Sequence, residues 1–232
     1  MIDWFPPIDP PRTDTPNGRL MLRWRTLVGL RQLARSVDAK DPSTTGHSER
    51  VARLVVSLAD ALGWSARDAE RLAEASLVHD VGKVALPDEV LCKPGPLTPE
   101  EYALVRTHAA VGASIVAVAL DVDQTLWVLH HHERWDGGGY PHGLSGREIP
   151  AGASLLAVAD AYDAMTTRPS SGALSKGEAL EECFSEAGAQ FAPWAVAALP
   201  AALRRMERRS WPRAVPQPLA MMPSAAEAGG AA

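Results

Sequence analysis

Apolar residues recur at intervals of three and four along most of the chain, and the gaps between these stretches hold proline, glycine and capping residues. Leu20, Trp24, Leu27, Val28 and Ala34 mark an amphipathic helix from Leu20 to Val37, with arginines on its outer side. A loop from Asp38 to Gly46 follows. His47 then opens a helix reaching Leu62, with Val51, Leu54, Val55, Leu58 and Leu62 on one stripe. Ser65, with Asp68 at the third helical position, caps another helix that runs to His79-Asp80. Pro87, Pro94, Gly95 and Pro96 break the pattern, and Thr98-Pro99-Glu100-Glu101 restarts it as a helix to Leu120. A further helix covers Asp123 to Glu133. The loop from Asp136 to Pro150 is glycine-rich and long, which in compact domains points to function. Ala151 to Met165 alternates in part, as a strand would, but its length favours a buried helix. Ser175 with Glu178 begins a helix to Ala187, and Pro193 begins the last, to Arg209. The expected class is all-α, a helical bundle, and no repeat is visible.

Composition refines this picture without changing it. The 232 residues, 46% apolar and 22% charged, suit one soluble domain, placed at residues 20–210. A proline-rich irregular arm, 1–19, precedes it, and a Pro/Ala/Gly-rich tail, 211–232, too poor in apolar residues to order itself, follows. The net charge of −5, with no Lys/Arg run, argues against duplex nucleic acid or an anionic membrane as partner, so local cations must handle any phosphate. Cys92 and Cys183 lack pair spacing and read as reduced thiols. With no leader pattern at the start and no apolar window of about 18 residues, the expected location is the cytoplasm.

The chemistry concentrates around Ser76-Leu77-Val78-His79-Asp80-Val81-Gly82-Lys83. On helical spacing Lys83 lies over His79 and Asp80, and a carboxylate has two oxygens, enough to bridge two ions beside an anionic substrate. A lone His-Asp pair in an apolar segment is more often a local hydrogen bond. The other histidines change that balance. His47 starts a helix, His108 lies within one, and His130-His131-His132 ends another before the glycine loop; Asp160 is a carboxylate in an apolar helix, where it needs a cation or a donor. Each histidine alone could be a cap or a core hydrogen-bonding group, but jointly that reading is improbable. Three consecutive helical residues spread over about 200° and cannot all face one point, whereas two adjacent ones can. His130 and His142 are expected to be ordinary, and Trp127, Trp135 and Tyr162 to be packing anchors.

His47, His79-Asp80-Val81-Gly82-Lys83, Pro87-Asp88, Lys93-Pro94-Gly95, His108, His131-His132-Glu133 with Asp136-Gly137-Gly138-Gly139-Tyr140-Pro141, and Asp160-Ala161-Tyr162-Asp163-Ala164-Met165-Thr166 together resemble the HD-GYP domain, a branch of the HD metal-dependent phosphohydrolases. The likeness runs in order from about residue 30 to 200, and Gly146, Ile149 and Pro150 fit it as well. It implies a helical domain that hydrolyses cyclic di-GMP to linear pGpG, and on to GMP, with iron or manganese ions and zinc as a further option. It implies that His47, His79, Asp80 and Asp160 bind one ion, with Asp80 bridging to a second held by His108, His131 and His132. Asp80 and Lys83 are then catalytic, with Lys83 on phosphate or the bridging hydroxide, and Lys83, Gly137, Gly138, Gly139, Tyr140, Asp163 and Arg168 contact substrate. Glycine N–H groups can approach an anion closely.

Three departures modify this expectation. Ser43 stands where trinuclear relatives carry a glutamate, so two ions are expected rather than three. Thr167-Arg168-Pro169-Ser170-Ser171 replaces an Arg-Pro-Tyr-Arg segment, leaving Arg168 as the phosphate-binding cation there, and Phe191-Ala192-Pro193 replaces Phe-Asp-Pro. The alternatives are an HD phosphohydrolase acting on another nucleotide, and a signalling or binding module without turnover. A signalling protein or a second copy of the chain is a possible partner.

Overall fold

The computed structural model describes residues 16–40, 45–167 and 172–208. Among these residues it is helical without a named strand, the single β-bridge joining Ala187 and Phe191. In chain order the helices are α1 (Pro16–Asp38), α2 (His47–Ala61), α3 (Ala66–Ser76), α4 (Asp88–Leu91), α5 (Pro99–Arg106), α6 (His108–Val116), α7 (Val122–Leu129), α8 (Ala151–Thr167), α9 (Lys176–Ser185) and α10 (Pro193–Arg208). Short 3-10 turns cover Val81–Ala85 and Gly146–Glu148.

α2 is central, packing on α3, α8 and α10. Its Val51, Leu54, Val55 and Leu58 are buried as their spacing predicts, while Leu62 lies past the helix end and is exposed. They meet Leu72 and Ala75 of α3, Leu155, Leu156 and Val158 of α8, and Val196 and Leu199 of α10 in one apolar core. This core fixes the relative positions of the start of α2 at His47, the turn after α3 at His79, and the middle of α8 at Asp160.

The cap signals hold where they fall. The Ser65 hydroxyl accepts from the Asp68 N–H, and Thr98 with Glu101, and Ser175 with Glu178, make capping boxes. Asp121 with Gln124 makes another, so α7 starts before the expected Asp123 and ends at Leu129, leaving His130 as its C-cap. α1 begins at Pro16, inside the stretch read as irregular, because proline suits a first helical turn. The rest of the arm, the tail beyond residue 208, Ser43 and Arg168 lie outside the described residues.

The largest difference from expectation lies between Thr98 and Leu120, where one helix is two. The Thr107 hydroxyl donates to the Leu104 carbonyl at 2.7 Å and the His108 ring meets the Val105 carbonyl at 2.6 Å. The Thr107 N–H bonds the same Leu104 carbonyl, three residues back instead of four, at 3.0 Å, so the turn tightens, the side chains share its carbonyls, and the helix is interrupted at Thr107. The free cysteines agree with their reading, Cys92 exposed and Cys183 buried, the latter's thiol pushed up to about 12 by burial.

Candidate metal centre

Five segments bring His47, His79-Asp80, His108, His131-His132 and Asp160 to one locus. The closest approach is between the Val81–Ala85 turn and α6, and it requires glycine: a Cβ on Gly82 would stand 2.0 Å from the His108 carbonyl oxygen and 2.5 Å from the Gly112 nitrogen. That contact sets the Asp80 carboxylate 3.3 Å from His108 Nε2 and 4.0 Å from His131 Nε2. His79 Nε2 lies 3.5 Å from Asp80 and 3.9 Å from Asp160, and His47 Nε2 lies 3.0 Å from Asp160. The Lys83 ammonium donates to the other Asp80 oxygen.

The potential ligand atoms fall into two groups that share one residue. Asp80, His108, His131 and His132 form the first; His47, His79 and Asp80 form the second, with Asp160 facing both of its histidines. Three rings are held alike: Nδ1 of His79, His108 and His131 engages the carbonyl of Ser76, Val105 and Val128, at 2.8, 2.6 and 2.6 Å. A carbonyl fixes the proton on Nδ1 and leaves Nε2 as a lone pair.

Of six buried side-chain N and O atoms without a hydrogen-bond partner among the described residues, four line this locus: Nε2 of His79, His108 and His131, and Oδ1 of Asp80. Each such atom costs about 1–3 kcal/mol if left unmet. Divalent cations, one in each group, would satisfy all four, so the donor set fits metal ions.

The electrostatics agree. Burial opposes charge on Asp80, yet Lys83, His79 and His108 hold its carboxyl well below the usual range. Burial, reinforced by neighbouring imidazoles, drives His131 well below its ordinary value and His132 down to about 3, so both are neutral and ligand-ready. His47 is the exception. Burial would lower it, but Asp160 and Asp163 push it up to about 10, so an ion bound at its Nε2 would have to displace a proton held by the two carboxylates.

Three expected substrate contacts, Asp163, Gly137 and Gly138, bond within the chain. Asp163 is buried; its Oδ2 meets His47 Nδ1 at 2.7 Å, and its two oxygens accept from Arg50 Nε and Nη2 at 2.7 and 3.0 Å. It holds the His47 ring instead of facing solvent. In the glycine loop the Gly137 N–H donates to the Arg134 carbonyl and the Gly138 N–H to Asp136, both at 2.9 Å. A Cβ on Gly139 would come within 2.3 Å of the Arg134 nitrogen and 2.6 Å of the His132 carbonyl oxygen. Gly139 therefore serves close packing beside His132, Gly137 takes a left-handed turn at φ 81°, and two of the three N–H groups are already used.

Sequence reasoning missed Arg50 and Arg106, and gave Glu133 a place in the motif but no role. Arg50 lies three residues after His47 on the same helix face, a signal that was present. Exposed Arg106 stacks on the Tyr140 ring at 4.8 Å, and that ring lies 4.9 Å from His132. Nothing in sequence spacing brings these together. Buried Glu133 accepts the His142 and Leu144 N–H groups at 2.8 and 3.1 Å, holding the loop down.

A helical bundle with a His/Asp cluster of this kind is the architecture of the metal-dependent HD phosphohydrolases. The HD domain family profile matches residues 31–193, and the chain belongs to that family, in its HD-GYP branch. It is 39% identical over 163 residues to a cyclic di-GMP phosphodiesterase of Thermotoga maritima, covering 68% of this chain and 44% of the relative. It is 36% identical over 170 residues to the 3'3'-cGAMP-specific phosphodiesterase 2 of Vibrio cholerae, covering 69% of this chain and 32% of the relative. The chain thus spans less than half the length of these relatives. The fold is shared with Bd1817, an HDG"Y"P protein from Bdellovibrio bacteriovorus, with a TM-score of 0.59 at 21% identity over 83% of this chain and 66% of that one. No helix among the described residues is long and apolar enough to cross a membrane.

Proposed function

We propose that the chain is a two-metal cyclic-dinucleotide phosphodiesterase whose substrate is cyclic di-GMP, opened to linear pGpG and more slowly cut on to GMP. The observation that carries this reading is the membership of Asp80 in both ligand groups. His108, His131 and His132 with Asp80 would hold one ion, and His47, His79 and Asp160 with Asp80 the other. Such a pair supplies an acidified water and neutralises the charge of the phosphodiester. The mixed imidazole and carboxylate donor set suits iron or manganese, with zinc next. Lys83, seated on Asp80, keeps that carboxylate ionised and sets a positive charge beside the phosphate position.

Arg106 is the substrate-binding cation we add on the rim. Its guanidinium over Tyr140 stands next to His132, and it can stack on a base or pair with the second phosphate. Arg168 keeps its proposed phosphate role, and Lys83 and Tyr140 complete the substrate side.

The test is a product assay on cyclic di-GMP, 3'3'-cGAMP and linear pGpG with manganese- or iron-loaded protein. Conversion of cyclic di-GMP to pGpG ahead of GMP is expected. Hydrolysis of another nucleotide with cyclic di-GMP untouched would overturn the substrate; metal-loaded protein inert on the whole panel would leave a binding module. Similarity to a 3'3'-cGAMP-specific relative supports one second reading, preference for the mixed dinucleotide, which the same panel decides.

A further inference from the structure

His130, the first of the three consecutive histidines, is built like a ligand but points elsewhere. Its Nδ1 engages the Leu126 carbonyl at 3.0 Å, the same kind of restraint that fixes His79, His108 and His131. In those three the free Nε2 lies at the metal centre. In His130 it meets Nδ1 of His142, 3.1 Å away, in the glycine loop. Glu133 adds a carboxylate oxygen, and the three potential ligand atoms lie within 4.8 Å of one another. His130 and Glu133 are buried and His142 is exposed, so the cluster has a rigid base and an open side.

We propose that His130, Glu133 and His142 form a separate site for one divalent ion of the zinc type, with a two-nitrogen, one-oxygen donor set and the fourth position open to water. Two imidazole nitrogens bound at about 2.0–2.1 Å to a tetrahedral ion stand roughly 3.3 Å apart, so the observed separation needs little adjustment. Without an ion, His142 Nδ1–H donates to His130 Nε2. With one, His142 moves its proton to Nε2 and offers the Nδ1 lone pair, so the ring stays neutral and no proton is lost. The two N–H groups that Glu133 accepts fix its orientation, as supporting bonds do for a ligating carboxylate, and leave further lone pairs for an ion. The set shares no residue with the metal centre.

The competing explanation is a plain hydrogen bond between two neutral rings, and counting ions separates the two. The full chain is saturated with zinc, passed through gel filtration and analysed for metal, alongside His142→Ala and His130→Gln. Wild type should retain one zinc per chain more than either variant, and its last equivalent should be held at least ten-fold more tightly than any that His142→Ala takes up beyond the centre. Equal counts in wild type and His142→Ala overturn the proposal. Exposed His142 can be removed without disturbing the core, so a folding defect in His130→Gln does not leave the matter open. The count uses no nucleotide, so its failure is distinct from failure of the proposed hydrolysis.

Discussion

Asp80 concentrates the chemistry of the centre in one side chain. It is shared by both ligand groups and carries the Lys83 contact, so Asp80→Ala should abolish hydrolysis and lower occupancy at both ion positions. Elemental analysis beside the product assay checks this. His142→Ala should keep the activity and still hold about two ions at the centre. Asp163 and Arg50 act through another residue. Asp163→Asn or Arg50→Ala leaves every ligand in place but loosens His47, and should weaken one ion about 10- to 100-fold in a chelator competition. The residues that cluster could be read from sequence because histidine and aspartate in an apolar setting announce themselves by type. What Asp163 touches could not, since sequence gives a carboxylate and not the partner of each oxygen. Arg106 was illegible for the same reason: its role depends on Tyr140, which arrives from a different segment.

Helix starts were legible because capping is local chemistry. Ser65, Thr98 and Ser175 stand at their caps, and α8 is helical despite its alternating stretch, as its length indicated. The interruption at Thr107 was not legible, because there a tightened turn lets side-chain and backbone donors share the same carbonyls, and propensity does not register that arrangement. The approach of the Val81–Ala85 turn to α6 was equally hidden, although Gly82 marks it. Gly82→Ala would set a methyl against backbone on the facing helix, where no side chain can move aside. A loss of about 3 kcal/mol or more is expected, with a lowered thermal midpoint and loss of the ion that His108 helps hold. Gly29→Ala is the control. A Cβ there meets nothing within 4 Å, and the substitution in the middle of α1 should be neutral or stabilising by roughly 0.5–1 kcal/mol.

Over the whole molecule, ions bound at the proposed centre would make metal and fold one equilibrium. Ions that bind the folded chain and not the unfolded one add stability with their concentration, about 4 kcal/mol at a thousand times the dissociation constant. Stripping with a chelator should therefore lower the thermal midpoint by several degrees, and manganese should restore it; a midpoint indifferent to metal would show that the core alone holds the site together. The all-α class and the longer helices were visible in the periodicity, while α4, within the stretch read as a break, and the division into α5 and α6 were not. The arrangement that makes α2 central was not, because it depends on which apolar stripes meet. His47 and Asp163, 116 residues apart, are in direct contact, and with the neighbouring ligands they make the centre a clasp between distant parts of the chain. An open clasp exposes the chain to proteases more often, since degradation follows the population that opens. A cell starved of the ion should thus lose the protein itself and not only its turnover, and a pulse-chase in metal-depleted medium should show a shortened half-life.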